Sequence, residues 1–243
     1  MKEVSLVITS CGRFDLLKKT LDSFFEKNTY PIKKIIIIED STEGEKLKKL
    51  ISEYENKIFC LIVNKKRIGQ VRSIDKAYNE VDTEYVFHCE DDWEFLKKGF
   101  IERSINILEE DKNILLIGLR SKKDYREGFF LDEEYISKSG EKLYEVKDEI
   151  FTYNPGLRRK SDNDLFGLHE KLENKLYEDE LSKFYRKKGY RTLFFKEKYV
   201  EHIGDKRHVH FSKKGKNTVL KFKIDRMIKK IRYNILKFLG KIK

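Results

Sequence analysis

At 243 residues, with 39% of them charged and a mean hydropathy of −0.66, the chain is long enough for one well-cored domain plus an appendage. No apolar run approaches the roughly 18–20 residues that a transmembrane helix needs. The three cysteines, Cys11, Cys60 and Cys89, form no CxxC pair and have no histidine at zinc-ligand spacing, so they signal neither a disulfide framework nor a structural metal site and point to a reducing cytosol. The net charge of +11 sits in the tail: residues 213–243 hold twelve Lys or Arg against the single acid Asp225, so residues 1–212 are neutral. That neutrality argues against a broad nucleic-acid surface.

In chain order, MKEVSLVITS runs on into CGRFD without the small-residue cleavage site of a signal peptide, and reads as a first β-strand. Apolar β-type runs then recur at 4–9, 33–40, 57–63, 84–89 and 113–119. Between them lie FDLLKKTLDSFFEK, GEKLKKLISEYE, GQVRSIDKAYNE and LKKGFIERSINILEED, each with apolar residues three or four apart. This β-α alternation predicts a mostly parallel sheet with helices on both faces. Such sheets place ligands outside the carboxyl ends of their strands.

From about Ser121 to Tyr153 the periodicity weakens, and the pattern suggests a hairpin or small antiparallel extension. Asn154-Pro155-Gly156 reads as a turn, 168–189 as a helix stopped by Gly189, and 190–195 as a short strand. Within 217–243, apolar residues at spacings of three, four and seven define one face of a helix whose other positions are filled by Lys and Arg. A helix this basic reads as binding a membrane surface, each basic residue near anionic lipid contributing about 1 kcal/mol. The alternative is an amphipathic helix docked on the body or on a partner subunit.

The segment FHCEDDWEF closes a predicted strand with Glu90, Asp91 and Asp92. Three adjacent carboxylates repel one another unless a cation sits among them, and Mg²⁺ or Mn²⁺ takes one or two carboxylates plus phosphate oxygens. A solvated acidic loop cap is the plainer reading. A second acidic pair, Glu39 and Asp40, ends the strand in IIIIEDS, and VITSCGR puts a small polar turn after the first strand.

Together VSLVITSCGRFDLLKKTLDSF, IIIIEDS, IGQVRSIDKAY and FHCEDDWEF resemble the family 2 glycosyltransferases and their GT-A fold, over about residues 4–205. The resemblance implies one α/β domain of GT-A type over 1–212, with a nucleotide-binding half (1–120) and an acceptor half (121–212). The basic amphipathic tail follows over 213–243. It implies that Thr9, Ser10 and Arg13 line the nucleotide pocket, that Glu39 or Asp40 accepts a hydrogen bond from the base, and that Arg72 lies near the diphosphate. Asp92 would be the direct ligand of a Mn²⁺ or Mg²⁺ ion, Asp91 a ribose or metal contact, and His202 in EHIGD a further metal ligand. Asp179, with Glu178 beside it, would be the general base that an acceptor hydroxyl needs. Both acidic sites depart from the family's usual pattern: Glu-Asp replaces paired aspartates at 39–40, and the acidic triplet opens with Glu90.

The expected activity is metal-dependent transfer of a sugar, with inversion, from a nucleoside-diphosphate donor (UDP-sugar favoured) to a hydroxyl. A lipid-linked or cell-envelope glycan is the expected acceptor, on the cytoplasmic face of a membrane. A nucleotidyltransferase would share the α/β crevice, but VITSCGRFD is not a glycine-rich triphosphate loop. A membrane-bound scaffold accounts for the tail but not for the acidic strand ends.

Overall fold

The computed structural model describes residues 1–54, 57–172, 176–204 and 207. Residues 1–203 form one compact unit. The basic tail, its predicted helix and the boundary at 212/213 lie outside the described residues.

The first half follows the predicted alternation. Strands β1 (Val4–Ser10), β2 (Lys34–Glu39), β3 (Phe59–Val63) and β4 (Tyr85–Glu90) alternate with helices α1 (Phe14–Lys27), α2 (Gly44–Ile51) and α3 (Gln70–Asn79). They pair in parallel in the order β3-β2-β1-β4. Parallel strands covered on both faces must be apolar throughout, and β1 is buried at all seven positions. Alternate residues serve opposite faces. Leu6, Ile8, Ile37 and Phe87 pack with α1, α2 and with α4 (Phe100–Glu110), whereas Val7, Ile36, Ile38 and Val86 pack with α3.

The second half departs from the expected mostly parallel sheet. Beyond β4 the order continues β9 (Gly156–Arg159), β6 (Ile114–Gly118), β10 (Arg191–Phe195), β8 (Lys142–Val146), β7 (Phe130–Ile136). Here β9 runs antiparallel to both β4 and β6, and β7 and β8 form an antiparallel hairpin joined to β10. The nine-stranded sheet is therefore mixed. The hairpin was anticipated, but β9 was not, because its four residues GLRR follow a turn signal and carry two arginines.

Gly156 is what admits β9. A Cβ there would lie 2.6 Å from Leu116 Cδ1 and 2.7 Å from the Ile117 carbonyl. The predicted helix over 168–189 is shorter: a 3-10 turn covers His169–Leu172, residues 173–175 lie outside the description, and α6 is Tyr177–Lys187. α5 is the short Lys160–Asp164. A second sheet pairs β5 (Trp93–Phe95) with β11 (Val200–His202), setting His202 opposite Trp93. All three cysteines are free thiols, and no described helix is long and apolar enough to cross a membrane.

Candidate functional site

The carboxyl ends of β1, β2 and β4 bring the acidic motifs together. Parallel register sets Ser10 beside Glu39, and Thr9 beside Glu90. The Ser10 hydroxyl lies 2.8 Å from Glu39 Oε2 and 3.2 Å from Asp91 Oδ2, with one proton to give. The backbone N–H groups of Gly12 and Ser41 donate to Glu39 Oε1 at 2.9 and 2.8 Å. Gly12 needs its glycine, because its φ of +73° is the left-handed region.

Asp40 is engaged differently. Asn64 Nδ2 and the Ile68 N–H donate to its Oδ1 at 2.9 and 2.8 Å, and the Gly69 N–H donates to Oδ2 at 2.8 Å. Lys76 in turn donates to Asn64 Oδ1 at 2.8 Å. Asp40 therefore ties the loop before α3 to the end of β2. Glu39 takes two backbone donors and shares the Ser10 proton with Asp91, and Asp40 takes three donors, which leaves each short of the roughly four that a carboxylate can accept.

Arg13 stands at the N-cap position of α1 but makes no side-chain cap. Its guanidinium turns to the acids instead, pairing with both oxygens of Asp91 and donating from Nη1 to Asp92 Oδ2 at 2.6 Å. Asp91 is 1% exposed and Asp92 5%. Burial pushes the Asp91 carboxyl up to about 6, against the pull of Arg13. Burial acts on Asp92 too, but hydrogen bonding to His202 and the Arg13 charge hold it below its ordinary range. Glu90 is pushed up to about 8 by burial and by the neighbouring charges of Asp92, Glu178 and Asp91.

His202 is brought to this cluster by the β5–β11 pairing. Its Nε2 lies 3.2 Å from Asp92 Oδ2, and its ring packs edge-on to Trp93 at 4.9 Å between centroids. Asp92 Oδ1 is buried without a hydrogen-bond partner. An orphaned carboxylate oxygen beside an imidazole suits a divalent ion that draws its other ligands from phosphate. The described residues alone hold no group of three or more His, Cys, Asp or Glu placed to bind a metal. Asp92 and His202 are the residues here that could hold such an ion if a bound substrate completed its shell.

Beside this cluster, Gln70, the first residue of α3, donates to Glu90 Oε1 at 2.8 Å and accepts from Tyr177 Oη at 2.7 Å. Tyr177 opens α6, and Glu178 and Asp179 follow in its first turn. Glu178 Oε1 accepts from the Tyr153 N–H at 2.8 Å and from Thr152 Oγ1 at 3.2 Å, and burial raises its carboxyl. Asp179 is half-buried beside it. Arg72, half-exposed on α3, lies 3.8 Å from Glu170 of the 3-10 turn.

Sequence reasoning named neither Gln70 and Tyr177, which bridge the two halves, nor Asn64, which locks Asp40. A polar residue opening a helix after a strand was the available signal for Gln70. Arg120, just past β6, was legible by the same strand-end rule. Its guanidinium lies 5.2 Å from the Trp93 ring and 5.0 Å from the Tyr125 ring, with the Trp93 indole N–H buried and unpartnered beneath.

Comparison with solved structures finds the same fold at low identity. A mannosyltransferase, PcManGT from Pyrobaculum calidifontis, in complex with GDP-Man and Mn²⁺, has a TM-score of 0.66 at 14% identity, over 86% of this chain and 59% of that one. GalNAc-T7 with UDP, GalNAc and Mn²⁺ gives 0.62 at 13% identity, over 83% of this chain and 43% of that one. TarS residues 1–349 from S. aureus gives 0.59 at 15% identity, over 82% and 59%. This chain thus spans between 43% and 59% of the length of those proteins. Comparison with curated protein sequences finds no match. Residues 5–198 match the family described as glycosyl transferase family 2, and the chain belongs to that family.

Proposed function

We propose that this chain transfers a sugar from a nucleoside-diphosphate donor to an acceptor hydroxyl with inversion, UDP-sugar being the favoured donor. The observation that carries the proposal is the gathering of Arg13, Asp91, Asp92 and His202 around the end of β4, tied through Glu90 and Gln70 to Tyr177 at the start of α6. Solved proteins of similar fold hold GDP-Man or UDP together with Mn²⁺, which supports the same class of donor and ion.

In this reading, Thr9 and Ser10 line the nucleotide pocket, and Glu39 or Asp40 uses its remaining lone pair for a base N–H. Asp92 and His202 hold Mn²⁺ or Mg²⁺, with Asp91 on the ribose or the ion. When bound, the ion supplies Lewis-acid neutralisation of the leaving diphosphate. Asp179 takes the proton of the acceptor hydroxyl as the new carbon–oxygen bond forms. The anomeric carbon–phosphate oxygen bond breaks with its electron pair leaving on the nucleoside diphosphate. Arg72, beside Glu170 on α3, lies near the diphosphate in this reading.

The acceptor proposed is a lipid-linked or cell-envelope glycan, reached from the cytoplasmic face of a membrane that the basic tail touches. A scan of thermal stability with UDP, GDP and their sugars, with and without Mn²⁺, tests the donor site, because a ligand that binds only the folded chain raises its stability. The expected result is a metal-dependent rise with one nucleoside diphosphate. No rise with any of them would remove the case for this donor class.

A further inference from the structure

Arg158 is fully buried on β9, at 0% exposure, and makes no ion pair with a carboxylate within 4 Å among the described residues. An isolated buried cation is costly, so something it does must offset that cost. Its Nη2 donates to the Thr152 carbonyl at 3.0 Å, and its guanidinium lies over the Phe151 ring at 4.8 Å and the Tyr153 ring at 5.9 Å. It thus grips residues 151–153 from the sheet side.

The same three residues are also bound by α6. The Phe151 N–H donates to Ser182 Oγ at 2.9 Å, Thr152 Oγ1 donates to Glu178 Oε1 at 3.2 Å, and the Tyr153 N–H donates to the same oxygen at 2.8 Å. Phe151 also stacks on Tyr185 of α6, with rings 5.7 Å apart and 7° from parallel. Arg158 and Glu178 are a cation and an anion that bind one short segment and lie within electrostatic range of each other. Glu178 is also within electrostatic range of Asp179 and Glu90, with Tyr177 and Tyr125 nearby. His88 and His169, near Arg158, are held neutral by burial and by that charge.

We propose that Arg158 is a positioning residue for the transfer reaction: it holds residues 151–153, which hold Glu178, and so sets where the first turn of α6 presents Asp179. The inference rests on Asp179 being the base. It assigns Glu178 to anchoring and leaves proton transfer to its neighbour.

The test compares Arg158→Met with Arg158→Lys in the full chain, the lysine keeping a charge and one donor for Thr152. Turnover is followed with a panel of UDP- and GDP-sugars in Mn²⁺, and hydrogen–deuterium exchange is followed over residues 150–157 and 176–187. Arg158→Met is expected to lower kcat by about tenfold or more, within the effect of a positioned base, at unchanged donor KM. Arg158→Lys should recover most of the loss. Exchange in both stretches should quicken in the methionine variant and stay near the parent rate in the lysine variant.

Equal exchange and equal kcat in parent and methionine variant would overturn the proposal. So would a fall in kcat that tracks global melting with no local change in exchange. If the parent turns over no donor, the transferase reading fails separately, and the exchange comparison alone decides the role of Arg158. Should Arg158→Met not fold, Thr152→Val, which removes one bond to Glu178, carries the same two measurements with the same expected directions.

Discussion

At the residue scale, the acids at the end of β4 differ more in surroundings than in type. Asp91 is locked to Arg13, Ser10 and the Cys11 N–H, whereas Asp92 keeps one buried oxygen without a partner. Asp92→Ala should therefore abolish metal-dependent turnover while leaving the circular dichroism spectrum unchanged, and full activity in the presence of a chelator would contradict the assignment. Glu90 carries a different prediction. Its folded-state value of about 8 lies above the ordinary 4.5, so the folded chain keeps this proton longer than the unfolded chain does. Stability without ligand should then fall as pH rises from about 4.5 to about 8. Glu90→Gln should flatten that slope in denaturant titrations at a series of pH values. The three carboxylates were legible as a cluster, but which was paired, orphaned or protonated was not, because that depends on Arg13 and His202 arriving from elsewhere in the chain.

At the element scale, β9 joins the two halves of the sheet. It fits between β4 and β6 because Gly156 has no Cβ to meet Leu116 and the Ile117 carbonyl. Gly156→Ala should lower stability by about 1–3 kcal/mol through overpacking against Leu116 and the Ile117 carbonyl, read as a drop in denaturation midpoint with little change in slope. A midpoint equal to the parent's would mean that the strand can shift outward freely. The helices α1 to α4 were readable because each buries a stripe at spacings of three and four against one sheet face. No such periodicity marks a four-residue antiparallel strand bearing two arginines.

At the scale of the whole molecule, residues 1–203 carry the site, and the charge lies in the tail. If the tail holds the protein on anionic membranes, replacing several of its lysines by Glu should release it from phosphatidylserine vesicles in a sedimentation assay. Binding unchanged by those substitutions would assign attachment to another surface.

The sequence by itself determined the β-α alternation, the family and the acidic strand ends, because local periodicity and contiguous motifs need no partner to be read. Only the tertiary structure decided the mixed sheet, the delivery of His202 to Asp92, the bridge from Glu90 through Gln70 to Tyr177, and the burial of Arg158 behind Glu178. Each of these depends on groups about 20 to 110 positions apart meeting at one end of the sheet, where desolvation and neighbouring charge, more than residue type, set what a carboxylate can do.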